Sequence, residues 1–335
     1  MVDTVDRTDR DIAHEESARA TLEAEVTRAA ATFSARVVTA SSVAAIEVAH
    51  AEFLGSPAVQ SARTSAGNVD AFRELTKAAR RGLERFYEVC GTASHALTRP
   101  FGYPGDYAIL ELAYDRRPHA SSRTAAGQFA DAWFASAPLA RAVSARKDLL
   151  ASVFEERALA AARPLRILSI AAGAARELRE MSPRALQFVE STLVDRDPRP
   201  LDFARASLGA VAPTHRVRTV VGDAIAGGDV VGEVGSEGPF DVIYSFGLFD
   251  YLTDEHLLQT VRNFLPLLAD GGQVLFCLKD RRHYDWLPAA WLYNWRFVPR
   301  TADDGPRLAL ALGLRVTKTW LVGDGCIAVW ACERP

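Results

Sequence analysis

Several kinds of chemistry are excluded by what the 335-residue chain lacks. It has only four cysteines, Cys90, Cys277, Cys326 and Cys332, and no C-x-x-C pair. That spacing argues against a disulfide framework and against a zinc site, and the thiols read as small buried apolar groups. The seven histidines are scattered without an H-E-x-x-H or H-x-x-x-H pair, so no metal site is expected. No G-x-S-x-G elbow is present, which argues against serine-type acyl transfer. There is no excess of basic charge: 39 Lys and Arg face 42 Asp and Glu, a net charge of −3. Phosphate-driven binding to nucleic acid therefore has no electrostatic basis. No apolar run approaches the roughly 20 residues of a membrane span. The N-terminal "MVDTVDRTDRDIAHEE" has none of the apolar core of a secretion signal, so a cytoplasmic location is expected. No internal repeat or long low-complexity tract is found.

What is present falls into two textures, and the expected domains are residues 1–160 and 161–335. The first reads as all-helical. Leu22, Val26, Ala29, Phe33 and Val37 recur at steps of four, three, four and four, one face of a helix. Val69, Phe72, Leu75, Ala79, Leu83, Phe86 and Cys90 continue that pattern as a second, longer helix. An alanine-rich helical region runs from Ser122 to Ala162, broken at Pro138 because proline lacks an amide proton. "SPAVQSARTSAGN", Ser56 to Asn68, reads as a loop.

From Leu165 onward, strand-like runs alternate with helical ones. "LRILSIA", "STLVD", "TVVGD", "FDVIYSFG" and "GGQVLFCLK" are the strand candidates. The first two and the fourth lead into helices, "TVVGD" into a loop and "GGQVLFCLK" into a mixed aromatic segment. Pro266 interrupts the helical pattern after the fourth. "LRVTKTWLV" and "GCIAVWACE" close the chain as an antiparallel hairpin. Such alternation requires crossover connections. The fold class is α/β: a Rossmann-like, doubly wound, mainly parallel sheet with a C-terminal antiparallel hairpin, plus an N-terminal helical domain.

The first strand runs into "ILSIAAGAARE", Ile167 to Glu177. Small residues Ala171 through Ala175 let a ligand approach the backbone, and the helix start offers free amide protons. Asp195 ends the second strand, 22 positions after Gly173, where an acid accepts both hydroxyls of a ribose. Asp223 ends the third, placed for an adenine amino group or for a helix cap. "YSFGLFDYL" closes the fourth. A dinucleotide needs its diphosphate on the first helix, but Ala175 and Arg176 stand where later glycines belong, so a phosphate-free nucleoside fits better.

"ILSIAAGAAR" resembles the first motif, "hLDhGCGTGR", of class I S-adenosylmethionine-dependent methyltransferases. Ser169 stands for the usual acid, and Ala171 and Ala175 for two glycines. A narrower resemblance covers Arg99 to the C-terminus. "RPFGYPGDYAILELAYD" (Arg99 to Asp115), "YSFGLFDYL" and Trp295 to Thr301 are similar to a bacterial branch that includes enzymes forming hydroxy-fatty-acid methyl esters. This resemblance implies a helical lid over a Rossmann-like core, with the Pro104-Gly105 turn near the cofactor. It implies S-adenosylmethionine as cofactor, with Asp195 at the ribose, Asp223 at the adenine, Gly173 at the methionine part and Gly247 at the pocket rim. The candidate cofactor contacts are Arg99, Tyr103, Gly105, Ala172, Gly173, Arg176, Asp195, Arg196, Asp223, Ala224, Phe246, Gly247 and Tyr251.

The expected activity is methyl transfer to a small-molecule carboxylate, hydroxyl or amine, in secondary metabolism or signalling. The alternative is attack at the methionine γ-carbon, either cyclisation to azetidine-2-carboxylate with methylthioadenosine release or aminocarboxypropyl transfer. A hydroxyl or amine acceptor needs a base. Candidate catalytic groups are Tyr103, Asp106, Tyr107 and Tyr293, with Asp250 and Tyr251 also on the strand-end rim. "HYDWLPAAWLYNWRF", His283 to Phe297, is a candidate acceptor-pocket wall. The expected partners are a small-molecule substrate and a second copy in a homodimer, with no nucleic acid and no membrane.

Overall fold

The computed structural model describes residues 9–103 and 105–335, with side chains in the first helix from residue 14. The N-terminal reading of residues 1–8 and the Pro104 part of the turn lie outside the described residues. The chain forms two compact units, each described by itself. One comprises Met1–Gly105, Asp115–Ser136 and Trp286–Trp295; the other comprises Asp106–Tyr114, Ala137–Asp285 and Arg296–Pro335.

The first unit is helical. Its long helix, Asp9–Val38, buries Val26, Ala30, Phe33 and Val37. Phe33 stacks on Phe53 at 5.3 Å and meets Phe86 at 5.6 Å and Trp133 at 6.2 Å between ring centroids. The expected long helix from Val69 to Cys90 is in fact two, Val69–Gly82 and Glu84–Val89. The first packs on the long helix through Gly82, where a Cβ would lie 2.3 Å from the Thr27 carbonyl oxygen. Val69 itself is exposed. The stretch Ser56 to Asn68 is not a loop: Pro57–Thr64 is α-helical and Ser65–Gly67 a 3-10 turn. Proline at its first position lacks only an amide that has no intrahelical partner anyway, and Ala58, Val59 and Ala62 are buried. The helical register here belonged to small residues that pattern reading took for loop composition.

The second unit holds a sheet that has seven strands among the described residues: β1 Leu165–Ile170, β2 Val189–Asp195, β3 Arg216–Val221, β4 Phe240–Ser245, β5 Leu268–Lys279, β6 Arg315–Val322 and β7 Ile327–Glu333. Their order is β3-β2-β1-β4-β5-β7-β6. β1 to β5 pair in parallel, while β7 runs antiparallel to both β5 and β6. This is the Rossmann-like, doubly wound sheet with a terminal antiparallel hairpin. Alternate side chains of each strand go to opposite faces. Leu168, Ile170 and Val194 join one apolar core, and Ile167, Leu193 and Tyr244 the other.

Pro138 separates two helices as expected, Ala125–Ser136 and Pro138–Ala160. The second counts with the sheet unit, where Leu150, Phe154 and Ala158 share a core with Ile167. The aromatic helix Trp286–Leu292 counts with the helical unit. After β1 the helical character is broken into two single turns, Arg176–Arg179 and Pro183–Leu186, the latter capped by Ser182. The connection after β3 includes a short helix, Asp229–Gly235. Pro266 falls in a 3-10 turn directly after the helix Asp254–Phe264. All four cysteines are buried free thiols, and no helix among the described residues is long and apolar enough to cross a membrane.

Candidate active site

The sheet order reverses direction at β1, with β2 on one side and β4 on the other. Crossovers leave in opposite senses there and open a crevice at the strand ends, the usual ligand position in such sheets. The loop at that point is Ala171 to Ala175. Ala171, Gly173 and Ala175 all have left-handed backbone, with φ of 54°, 55° and 46°. The two alanines standing in place of glycines thus hold a conformation that favours glycine, at a cost of about 1 kcal/mol each. A Cβ built on Gly173 meets no atom within 4 Å. Open space lies over this residue, and its glycine answers to conformation rather than crowding.

Asp195, at the end of β2, is buried. Its Oδ2 accepts from the Gly173 amide at 2.9 Å, and its Oδ1 from the Asp197 amide at 3.0 Å. Each oxygen keeps a further lone pair for another donor. Burial pushes this carboxyl above its ordinary range, against the two amides that lower it. The Asp195 carbonyl accepts from Gly222, and the Val194 carbonyl from Ala172. The ends of β1, β2 and β3 are therefore tied to one another. Asp223 is exposed there, and its Oδ1 accepts from the Ile225 amide at 2.9 Å. Ala224 beside it is buried. Arg196 is exposed, and Arg176 pairs with Glu111 at 3.0 Å and Glu180 at 2.6 Å.

Beyond β4 come Phe246 and Gly247, the latter at φ 147° with open space around it. Tyr251 is partly exposed, its ring 5.6 Å from that of Phe297. Asp250 is buried in an ion pair with Lys279, and also accepts from the Lys279 amide at 3.0 Å. Asp250 thus ties the segment after β4 to the end of β5.

Asp106 is fully buried, and its Oδ1 accepts from the Ala108 and Ile109 amides, capping the helix Tyr107–Asp115. The Tyr107 ring lies 5.6 Å from that of Phe203, and burial raises its hydroxyl pKa, with Asp197 adding to the shift. Arg99, Tyr103, Gly105 and Tyr293 belong to the helical unit. Arg99 donates to the Asn294 carbonyl at 2.9 Å. Tyr103 is half-buried. A Cβ at Gly105 would lie 2.0 Å from the Trp295 ring, so this glycine makes room for an indole. The Tyr293 hydroxyl is buried with no hydrogen-bond partner among the described residues, and burial holds its pKa well above the phenol range.

Pattern reading passed over Arg146, Glu177 and Tyr244. Glu177 accepts a short hydrogen bond from the Tyr244 hydroxyl, and burial raises its carboxyl pKa. No motif signals Arg146 or Glu177, because a charged residue in a helix reads as solvated until its burial is known, and Tyr244 reads only as a strand residue.

Residues 168–274 match a methyltransferase domain. The match runs from β1 through most of β5 and spans the loop, Asp195, Asp223, Phe246 and Gly247. The chain thus carries an enzyme's transferase domain, preceded by a helical region. A possible exported protein from Bordetella parapertussis shares the fold, with a TM-score of 0.56 and 15% identity over 95% of this chain and 97% of that one. Magnesium protoporphyrin IX methyltransferase from Synechocystis PCC 6803 is similar at a TM-score of 0.45 and 11% identity, over 59% of this chain and 87% of that one. An O-methyltransferase family protein from Burkholderia thailandensis is similar at 0.45 and 19%, over 64% and 62%. Among curated proteins no sequence matches the chain.

Proposed function

We propose that this chain transfers a methyl group from S-adenosylmethionine to a small-molecule acceptor. The observation that carries the reading is the bond from Gly173 to Asp195 at the reversal point of the sheet, inside the segment that matches a methyltransferase domain. An acid with both oxygens partly occupied by amides is oriented for two vicinal hydroxyls. The open space over Gly173 and Gly247 suits close backbone approach, and the loop has none of the repeated glycines of a diphosphate cradle.

In this reading Asp195 holds the ribose, Asp223 and Ala224 flank the adenine, and Ala172 and Gly173 line the methionine end. Phe246, Gly247 and Tyr251 form the rim. Arg176 and Arg196 complete the cofactor contacts that the sheet unit offers. The cofactor supplies an activated methyl carbon, so the protein's task is alignment and exclusion of water. A carboxylate acceptor needs no base. A hydroxyl or amine acceptor would need a base, but Asp106 is occupied as a helix cap and burial raises the phenol pKa of both Tyr107 and Tyr293, which keeps them protonated.

Incubation of the purified protein with S-adenosylmethionine and a panel of acids and amines tests this. Acceptor-dependent S-adenosylhomocysteine is the expected product. Methylthioadenosine formed without any acceptor would overturn the reading.

A further inference from the structure

Arg146, on the helix Pro138–Ala160, is 4% exposed. Its Nη1 donates to the Cys277 sulfur at 3.7 Å, the buried Tyr114 hydroxyl lies near enough to feel its charge, and its guanidinium carbon lies 5.8 Å from the centre of the Phe246 ring. These are soft or neutral partners. No carboxylate of the described residues lies within the 4.0 Å of an ion pair. The two nearby acids that feel its charge are engaged elsewhere, Asp250 with Lys279 and Glu177 with Tyr244. The next residue shows the contrast: Lys147, equally buried, has Asp148 at 2.5 Å and Glu180 at 3.1 Å.

A guanidinium is charged at every accessible pH and carries five donors in a planar fork. Burying it without an anion is costly, and chains retain such a group where an anion arrives to share the site. Cys277 lies near the end of β5, and Phe246 directly follows β4. Arg146 therefore stands at the strand ends on the β4–β5 side of the crevice, across β1 from Asp195.

The geometry points to Arg146 as the anchor for a ligand carboxylate in the methyl-transfer site, an inference that rests on the reading above. That carboxylate belongs either to the amino-acid end of the cofactor or to an acidic acceptor. A carboxylate is planar and takes two parallel N–H bonds from the fork, and Phe246 offers an apolar floor beside them.

Calorimetry on wild type, Arg146→Met and Arg146→Lys decides it, using three probes. S-adenosylhomocysteine carries the carboxylate, 5′-methylthioadenosine keeps the nucleoside without it, and benzoate is titrated into protein saturated with S-adenosylhomocysteine. The expected result is an affinity about 10- to 100-fold lower in Arg146→Met for one carboxylate probe, with methylthioadenosine unchanged. Loss confined to S-adenosylhomocysteine assigns the site to the cofactor, and loss confined to benzoate assigns it to the acceptor. Arg146→Lys, which keeps the charge and loses the fork, falls between. The unliganded Arg146→Met protein is expected to melt at the wild-type temperature or above it, because an unpaired buried cation is gone; a purely structural arginine would give a lower melting point. Unchanged affinity for both carboxylate probes overturns the proposal. If wild type binds neither nucleoside, the cofactor reading fails by itself, and benzoate titrated into the unliganded protein then decides the Arg146 site.

Discussion

The Gly173 amide donates to Asp195 Oδ2 at 2.9 Å, joining the loop after β1 to the end of β2. The same carboxylate accepts from Asp197 through its other oxygen. One side chain thus sets the shape of the loop, and the ribose-binding role proposed for it can be separated from that structural role by substitution.

Asp195→Asn keeps the shape but turns one acceptor into a donor that faces a backbone amide. The expected cost is about 1–3 kcal/mol of stability, with S-adenosylhomocysteine binding weakened at least about tenfold. Asp195→Ala loses both amide partners and is expected to abolish measurable binding. Urea unfolding and calorimetry on the same preparations read the two effects.

Ala171 and Ala175 hold left-handed backbone, but they differ in burial. Ala171 is only half-buried, so Ala171→Gly should stabilise by about 1 kcal/mol through relief of strain. Ala175 is 1% exposed. There the relief is offset by the loss of a buried methyl, worth about 0.8 kcal/mol, and Ala175→Gly should be close to neutral. Gly173→Ala should cost about 1 kcal/mol by the reverse argument, and weaken nucleoside binding more than stability, since its Cβ enters the open space. Denaturant midpoints of the three variants check the order.

Gly105 packs against Trp295 so closely that no Cβ fits. Gly105→Ala should destabilise the protein by about 1–3 kcal/mol through overpacking, and Trp295→Leu in the same chain should recover part of it. A melting series on the two single variants and the double variant is sufficient. Absence of rescue would mean that Gly105 acts through something other than the indole.

Asp280 is buried and accepts from the Arg282 guanidinium and the amides of Arg282 and Ala302. Burial opposes its charge, but these donors outweigh it and hold the carboxyl at about 2. The folded value is depressed below the unfolded value of about 3.9. The associated stability, about 2 kcal/mol, is therefore fully present above about pH 4 and lost as pH falls through about 2. Wild type and Asp280→Asn should differ at neutral pH and converge across that acid window in chemical unfolding measured at each pH.

The sheet was legible in the sequence because burial on both faces writes itself as short apolar runs. β1, β2, β4, β5 and β7 were visible that way, while the edge strands β3 and β6, largely half-buried or exposed, showed only as runs rich in valine and threonine; the crossovers between β1 and β5 required parallel pairing. The switch-point acids were legible too, since Asp195 and Asp223 follow directly from where strands end. The helical half was less so. Val69 to Cys90 reads as one periodic helix, yet Gly82 must sit against the Thr27 carbonyl, and the chain turns there. Ser56 to Asn68 has loop composition but is helical, because neighbours bury its small residues.

The amino-acid sequence by itself determined the order of strands and helices, the small-residue loop at the switch point and the acids beside it. These depend on local periodicity and on strand ends. Only the tertiary structure decided which charges are buried and with whom: that Asp106 caps a helix, that Asp250 pairs with Lys279, and that Arg146 stands among neutral partners. Burial of a charge depends on packing between segments far apart in the chain. Arg146 and Cys277 are 131 residues apart, beyond the reach of any local pattern.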